Sequence, residues 1–419
     1  MSTENRKLIN IATAGSVDDG KSTLIGRLLY DTKSLTTDKL EAIERNSKQK
    51  GFDYLDFSLA TDGLVAEREQ GITIDVAHIY FNTEKTNYII ADTPGHVEYT
   101  RNMVTGASTS SAAIILIDAR KGVIEQTYRH FFINNLLRVG HVVVAINKMD
   151  LVDYDQQVFE DIKKDFEALI EKSDYSEDQV KFIPVSALHG DNIAGSSEIM
   201  NWYQGPSLLD YLEALEIDEH EDNSAARFPV QYVVRPKTEA YHDFRGFAGK
   251  LYGGNLSVGD EVTVLPSFTT SKVKSIHFFD QEFEEATPGS SVTITLEDEV
   301  DVSRGDMLVK SDELPKSEKQ LSATICQVNS KPLRLGTKYI LQHGVNQVLA
   351  KVDSIEGLVH TDFSGTEETE QLKLNDIGKV NFRLSKPIHF DPYGDSKSNG
   401  SFILIDEASY DTTSVGFIQ

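Results

Sequence analysis

The first half of the chain alternates short apolar runs with amphipathic stretches. The strand candidates are residues 8–14, 75–81, 88–92, 112–118, 141–147 and 181–186. Between them, apolar residues recur at helical spacing, first in 22–29 and most clearly in 155–171. Nearly continuous apolar strands that alternate with helices predict a mostly parallel sheet covered by helices on both faces.

The pattern changes at 218–227, a polar and acidic stretch without periodicity that is typical of a linker. Beyond it helical spacing nearly disappears, and short apolar strands alternate with turn residues, as in small β-barrels. A second break at 311–320 divides this region. We therefore expect an α/β domain with a mostly parallel sheet at 1–220, followed by two all-β barrel domains at 225–312 and 318–419.

Composition narrows the range of partners. The 419 residues carry a formal net charge of −25, which repels phosphate backbones and argues against nucleic acid as the main partner. No apolar run approaches the ~20 residues of a membrane-spanning helix, and the polar N-terminus lacks a secretory signal. Cys326 is the one cysteine, so no internal disulfide can form. We expect a cytoplasmic protein without membrane association.

A phosphate-binding loop is predicted directly after the first strand. Residues 15–22 read GSVDDGKS and match G-x-x-x-x-G-K-[ST] between a strand and a helix. Backbone N–H groups of such a loop surround a β-phosphate, the lysine reaches the β- and γ-phosphates, and the serine hydroxyl ligates Mg²⁺. The candidate phosphate-site residues are Gly15, Ser16, Val17, Asp18, Asp19, Gly20, Lys21, Ser22 and Thr23.

A D-x-x-G motif follows a second apolar strand and supports this interpretation. It consists of Asp92, Thr93, Pro94 and Gly95. An aspartate at such a strand end can hold Mg²⁺, often through water, and the glycine amide can face the γ-phosphate. Thr73 lies between the two motifs, where a switch loop belongs, and is the candidate second Mg²⁺ ligand. Without the flanking motifs, a threonine that simply starts a strand would be the better interpretation.

Base selectivity is predicted at the end of the strand HVVVAIN, whose last residue is Asn147 and which is followed by Lys148, Met149 and Asp150. A carboxylate at position 150 can accept hydrogen bonds from guanine N1–H and the 2-amino group. Adenine lacks this donor pair, so it would leave the carboxylate desolvated at a cost of ~1–3 kcal/mol. After the next strand, the segment Ser186, Ala187 and Leu188 offers a backbone amide to guanine O6. GTP and Mg²⁺ are therefore the expected ligands.

His96, directly after the D-x-x-G motif, is the candidate catalytic residue together with Lys21. A ring nitrogen there can orient the attacking water, and histidine changes its charge near neutral pH. The alternative is a loop histidine bonded to backbone. Val17 and Ile72 are candidates for an apolar screen that holds His96 away until a partner docks, which predicts slow hydrolysis by the isolated chain.

The motifs GSVDDGKST, EREQGITI, DTPGH and NKMD together resemble the translation-factor class of GTPases, which includes elongation factor Tu. The resemblance implies an α/β P-loop GTPase domain followed by two β-barrels. Residues 62–77, 118–123, 202–206 and 244–249 resemble one branch more closely, the large subunit of bacterial sulfate adenylyltransferase. Val97, where that branch more often has Glu, and the long stretch 237–243 depart from its pattern.

That branch implies a specific activity and partner. GTP hydrolysis would drive adenylyl transfer from ATP to sulfate, giving adenosine 5′-phosphosulfate and pyrophosphate at a site on a small ATP-pyrophosphatase-type subunit. The single P-loop of this chain is consistent with an adenylyl-transfer site elsewhere. Two alternatives stay open: an elongation-factor-like GTPase that delivers aminoacyl-tRNA, and a regulatory GTP switch with negligible turnover. The acidic stretch 360–372 does not favour a tRNA surface.

Overall fold

The computed structural model describes residues 6–49, 51, 54–57, 77–93, 100–217, 224–236, 244–279 and 281–419. The chain divides into two units. One consists of Met1–Ile217 with His360–Gly365, and the other of Asp218–Val359 with Thr366–Gln419. Among the described residues, no helix combines the length and the apolar character needed to cross a membrane.

The first unit contains a six-stranded sheet with the strand order β2-β3-β1-β4-β5-β6. Its strands are β1 (Lys7–Ala14), β2 (Ala77–Asn82), β3 (Thr86–Asp92), β4 (Ala112–Asp118), β5 (His141–Asn147) and β6 (Val180–Pro184). The α-helices are α1 (Lys21–Asp31), α2 (Thr37–Gln49), α3 (Thr100–Ala107), α4 (Glu125–Leu136), α5 (Gln156–Ile170) and α6 (Leu208–Ala214). Short 3₁₀ turns span Met149–Val152 and Glu177–Gln179.

The apolar runs form the interior of this sheet, as their pattern predicts. Every residue of β4 is buried, and β5 is buried from its second residue onward. Only β2 runs antiparallel to its neighbour, so the sheet is mostly parallel. Parallel pairing aligns the strand ends: Asp92 lies opposite Thr13, and Asp118 lies opposite Asn147. The carboxyl edge of the sheet therefore gathers the ends of β1, β3, β4 and β5.

The second unit begins with a closed barrel. Its strands are β7 (Arg227–Val234), β8 (Gly246–Lys250), β9 (Leu256–Ser257), β10 (Glu261–Leu265), β11 (Thr269–Phe278), β12 (Gln281–Phe283), β13 (Glu285–Ala286), β14 (Ser291–Leu296) and β15 (Met307–Lys310). The order β10-β15-β7-β8-β14-β11 returns to β10, which closes the barrel, and β12 is attached to β11 outside the ring. Inward residues such as Phe228, Phe247 and Ile276 are fully or almost fully buried.

The strands of a second closed barrel follow in the same unit. They are β16 (Lys316–Gln327), β17 (Leu333–Arg334), β18 (Lys338–His343), β19 (Asn346–Val359), β20 (Thr366–Glu367), β21 (Gln371–Leu372), β22 (Ile377–Phe390), β23 (Ser401–Ile405) and β24 (Thr412–Ile418). The order β18-β23-β24-β16-β22-β19 closes by pairing of β19 with β18. The α/β fold followed by two all-β barrels is thus confirmed.

A buried ion pair joins the two barrels. The Arg227 guanidinium donates from Nε to Asp391 Oδ2 at 2.8 Å and from Nη2 to Oδ1 at 2.9 Å. Asn399 adds a third donor to this carboxylate at 2.7 Å. Burial alone would raise the pKa of Asp391, but these hydrogen bonds outweigh it and hold the pKa below its usual range. Removing either partner would leave a buried charge unpaired.

Candidate nucleotide site

The loop between β1 and α1 has the backbone conformation that its sequence requires. Gly20 (φ 93°) and Asp18 (φ 69°) both adopt left-handed conformations. A side chain at Gly20 would also place its Cβ 2.5 Å from Asn147 Nδ2, so this position needs glycine. The loop is thereby drawn against the end of β5, and the phosphate motif meets the motif that is predicted to read the base.

The N-terminus of α1 is suited to an anion. The helix begins at Lys21 with Gly20 as its N-cap, and no acidic residue lies in its first turn. Unpaired N–H groups and the helix dipole therefore present positive potential at this point. Asp19 turns its carboxylate back to the Ser16 amide at 2.7 Å, and the buried Ser16 hydroxyl has no partner among the described residues.

Lys21 and Asp92 form the centre of the phosphate end. Their Nζ and Oδ1 atoms lie 3.0 Å apart, and both side chains are buried. Lys21 also donates to the Thr93 carbonyl, and the Thr93 hydroxyl donates to the Thr13 carbonyl at 2.5 Å. Thr13 Oγ1 donates to Asp92 Oδ1 at 3.3 Å. Lys21 thus already has two partners inside the protein, so a phosphate must compete with Asp92 and the Thr93 carbonyl for its ammonium group.

The oxygen donors present at this end are of the type that Mg²⁺ prefers. Ser22 supplies a hydroxyl in the first turn of α1, and Asp92 supplies a carboxylate at the end of β3. Thr73, the other predicted ligand, lies outside the described residues. Within the described part of the chain, no cluster of three or more His, Cys, Asp or Glu side chains forms an alternative metal site. The donor set therefore fits Mg²⁺ held jointly with phosphate oxygens.

Asn147 connects the two ends of the site. Its Nδ2 donates to the Asp19 carbonyl at 2.8 Å, and its Oδ1 accepts from the Ala187 amide at 3.0 Å. The side chain is almost completely buried, so both amide groups are satisfied inside the protein. One residue thus ties the P-loop to the segment after β6, which fixes the spacing between the phosphate and base ends.

Asp150, the predicted base-reading residue, is held by its neighbours. Ser186 Oγ donates to its Oδ1 at 2.6 Å, and the Met149 amide bonds to the Val185 carbonyl at 3.2 Å. Lys148 adopts a left-handed conformation (φ 63°) and reaches the Asp18 carbonyl with its ammonium group. Its stem therefore crosses from the base segment to the P-loop. Leu188, which follows Ala187, is half-buried.

Asp118, which no sequence motif identifies as a site residue, binds the cationic side chains at this edge of the sheet. Its carboxylate accepts from Arg120 Nε at 3.0 Å, from Arg120 Nη2 at 2.6 Å and from Lys148 Nζ at 3.0 Å. Lys121 extends the network to Asp19 Oδ1 at 3.4 Å. The signal was present in the sequence, because Asp118 ends β4 just as Asp92 ends β3.

The ionisation of these two carboxyl groups differs. Burial would raise the pKa of Asp118, but hydrogen bonds from Arg120 and Lys148 outweigh it and hold this pKa far below its usual range. For Asp19 burial is the larger effect, and it raises the pKa despite the Ser16 amide and Lys121. Asp118 is therefore a permanent anion that fixes Lys148, whereas Asp19 is the more easily protonated of the two.

His130 is buried in α4 on the phosphate side. Burial, with smaller contributions from the positive charges of Lys21 and Arg129, lowers its pKa to about 3. The imidazole is therefore neutral at physiological pH and adds no cation beside Lys21. Nothing in the sequence distinguishes this histidine from a solvated one, since its burial depends on how α4 packs.

Four predicted site residues, Thr73, Pro94, Gly95 and His96, lie outside the described residues, and their roles stay predictions. The same holds for Ile72 of the predicted apolar screen, whose other member, Val17, is 36% exposed. The described candidates all come together at the carboxyl edge of the sheet, where open α/β sheets bind ligands. This arrangement can bind a nucleotide with its phosphates at α1 and its base beside Asp150.

Comparison with known proteins shows the family of this chain. The family model for the Elongation factor Tu GTP binding domain matches residues 6–218, and the GTP-eEF1A C-terminal domain-like model matches residues 320–419. The chain is 48% identical to Sulfate adenylyltransferase subunit 1 of Colwellia psychrerythraea, over 99% of this chain and 88% of that protein.

Proteins of the same name from Bacteroides fragilis and Shewanella woodyi are 49% and 47% identical, over 99% of this chain and 86% and 88% of theirs. Such identity across almost the whole chain covers the GTP-binding domain and both barrels. The chain therefore belongs to the sulfate adenylyltransferase subunit 1 family of GTP-binding P-loop GTPases.

Proposed function

We propose that this chain binds GTP with Mg²⁺ and that its GTP hydrolysis drives adenylyl transfer from ATP to sulfate. The products are adenosine 5′-phosphosulfate and pyrophosphate, formed at a site on a small ATP-pyrophosphatase-type subunit. The name of the relatives, subunit 1, supports a second chain. The observation that carries the nucleotide part is the Asn147 side chain, which joins the P-loop to the base segment.

At the phosphate end, Lys21 binds the β- and γ-phosphates and stabilises the charge that develops as the γ-phosphoryl group leaves. Ser22, Asp92 and Thr73 hold Mg²⁺, which supplies charge neutralisation when bound. His96 orients the attacking water, and the Gly95 amide faces the γ-phosphate. Phosphoryl transfer needs little else from the protein than such positioning and electrostatic stabilisation.

At the base end, Asp150 accepts from guanine N1–H and the 2-amino group. Lys148 covers the ring face, and the amides of the segment 186–188 face O6. Ser186 already donates to Asp150 Oδ1 at 2.6 Å, which leaves the carboxylate oriented for the base. Adenine would offer this carboxylate no N1–H and 2-amino donor pair, and this is the basis of the proposed preference.

Reconstitution tests the proposal. Purified chain is mixed with the second sulfate adenylyltransferase subunit of the same genome, and GTP hydrolysis is followed with and without ATP and sulfate. We expect hydrolysis to be slow alone and to rise when all three are present, with adenosine 5′-phosphosulfate formed in parallel. Stimulation by ribosomes instead would indicate a translation factor, and binding without multiple turnover would indicate a regulatory switch.

A variant separates binding from catalysis. His96→Ala is expected to leave GTP affinity nearly unchanged and to lower kcat by about 10²-fold or more, as for other water-positioning or acid–base groups. Equilibrium binding of a fluorescent GTP analogue and single-turnover hydrolysis measure the two quantities. An unchanged kcat would reassign His96 to a structural role in its loop.

A further inference from the structure

Three phenylalanines are exposed together at one end of the first barrel. Phe278 ends β11, Phe279 follows it, and Phe283 ends β12, with 45%, 88% and 43% of their surface exposed. The Phe278 and Phe279 rings lie 4.6 Å apart. Phe283 pairs with Ile276 across the ladder, and β12 is bonded to no described strand except β11. We refer to these three residues as the aromatic hairpin.

The conformation of Phe279 is not explained by folding alone. Its φ of 53° lies in the left-handed region, where glycine or asparagine is favoured and a bulky residue costs about 1–2 kcal/mol. Its ring is also largely solvated, so burial does not offset that cost. Such an outlier on a protruding turn points to a function outside the barrel core.

Two other phenylalanines share this backbone conformation and serve as a comparison. Phe268 (φ 59°) lies edge-on to His389 with ring centroids 5.9 Å apart, and Phe363 (φ 61°) lies 5.1 Å from the Phe132 ring. Each therefore rests on a residue from another part of its own unit. Phe279, by contrast, lies beside the ring of its chain neighbour Phe278 and is 88% exposed. Its exposed ring is therefore available to another molecule.

The charges around the aromatic hairpin indicate what kind of molecule this is. Glu282, Glu284 and Glu285 are all exposed beside it, on a chain with net charge −25. An acidic surface repels nucleic acid and anionic lipid, and a second copy of the chain would bring the same acidic face. The surface that would complement the aromatic hairpin is an apolar pocket of a different protein, with lysine and arginine side chains around its rim.

We propose that the aromatic hairpin docks into an apolar, basic-rimmed pocket on the second sulfate adenylyltransferase subunit. This inference rests on the proposed function, which requires that subunit. Each buried aromatic side chain removes about 150–250 Å² from water, and a standard interface buries about 800 Å² per partner. Two of the three phenylalanines are already more than half buried, so their remaining surface supplies the centre of one interface rather than most of its area. Central aromatic anchors of this kind dominate binding energy.

Phe279→Gly tests the docking site without threatening the fold. Glycine adopts a positive φ readily, so we expect the melting temperature to stay the same or rise. Affinity for the purified second subunit, measured by calorimetry with the full-length chain, is expected to fall at least tenfold. Phe283→Ser is expected to act in the same direction. A purely structural role would lower the melting temperature and leave affinity unchanged.

Tyr410→Gly provides a matched control. Tyr410 is 74% exposed at φ 60°, but it lies in the second barrel without exposed phenylalanines beside it. It is expected to bind the second subunit like the wild type. Equal affinities of wild type and Phe279→Gly would overturn the docking site alone. Failure of the wild type to bind the second subunit would overturn the proposed function together with this inference.

The acidic rim has its own test. Glu284→Lys is expected to slow association with the second subunit severalfold at low salt, with little change at high salt, because rim charges act mainly on association rates. Stopped-flow mixing at two ionic strengths measures this. Faster association of Glu284→Lys would show that the pocket is rimmed by acidic rather than basic residues, and would overturn the stated partner chemistry.

Discussion

At the base end of the nucleotide site, Asn147 and Ser186 hold their partners at 2.6–3.0 Å through hydrogen bonds within the protein. At the phosphate end, Lys21 and Asp92 hold each other, 3.0 Å apart and buried. The base end is therefore organised before the nucleotide arrives, whereas the phosphate end must exchange an internal ion pair for phosphate and metal contacts. The difference shows that base selectivity and the response to the γ-phosphate depend on different residues, at opposite ends of the site.

The largest effect is expected at the phosphate end. Lys21→Ala should lower kcat/KM for GTP by about 10³-fold, because it removes a charged donor from the developing phosphoryl charge. Single-turnover GTP hydrolysis measures the loss. Lys163→Ala, which changes a partly exposed lysine on α5 paired with Glu167, is the control and should hydrolyse GTP normally. Normal turnover by Lys21→Ala would contradict the comparison, because it would show that the Lys21–Asp92 ion pair takes no part in hydrolysis.

Base recognition should give the next largest effect. Asp150→Asn is expected to weaken GTP binding by about 10- to 100-fold and to favour xanthosine triphosphate, whose 2-oxo group can accept from the new amide. Competition between the two nucleotides measures the switch. Asp153→Asn, an exposed aspartate of the same loop, is the matched control. If Asp150→Asn still preferred GTP, base selectivity would have to lie elsewhere.

The strand-end residues show how far the sequence determines this site. Apolar runs predict β3 and β5, and the motifs at their ends place Asp92 and Asn147 at strand ends. The contact of Lys148 with Asp118 could not be predicted, because it depends on β4 and β5 being neighbours in the sheet. Sequence order does not give that adjacency, although the carboxylate at a strand end was a visible signal.

The barrels show the same limit at a larger scale. Turn residues and short apolar runs predict all-β domains, and both domains are all-β. Closure also needs pairing between strands far apart in the chain, such as β7 with β15 and β16 with β24, which no local pattern contains. The 14-residue strands β19 and β22 also exceed the short strands expected, because bulges let them bend around the barrel. The aromatic hairpin follows only from exposure and backbone conformation.

The buried His130, which lies on the phosphate side, should make the stability of the chain depend on pH. The pKa of His130 is lowered to about 3 by burial, so the unfolded chain binds an extra proton between pH 3 and its ordinary pKa near 6.5. The free energy of unfolding therefore has its full value, as far as His130 is concerned, above pH 6.5. It declines as pH falls, by roughly 1–2 kcal/mol between pH 7 and pH 5. Urea unfolding across this range is expected to show a shallower pH slope for His130→Gln. Identical slopes would mean that His130 is solvated.

The smallest effect is expected from the cation network. Asp118→Asn should weaken GTP binding about fivefold, because Lys148 loses a charged acceptor but keeps the Asp18 carbonyl. Arg120→Gln should have less effect, since its side chain is 46% exposed and its ion pair with Asp118 is open to solvent on that side. Calorimetric titration with GDP ranks the two. A larger loss for Arg120→Gln would show that Arg120, not Lys148, is the cation that acts on the nucleotide.

The most direct test of the account is a competition between GTP and ATP for the intact wild-type chain. ATP is the proposed adenylyl donor of the complex, so a P-loop that bound ATP would place the second reaction on this chain. Displacement of a fluorescent GDP analogue gives both affinities in one experiment. The account predicts that GTP binds at least about 10²-fold more tightly than ATP, because adenine offers Asp150 no N1–H and 2-amino donor pair. Equal displacement by ATP would contradict it.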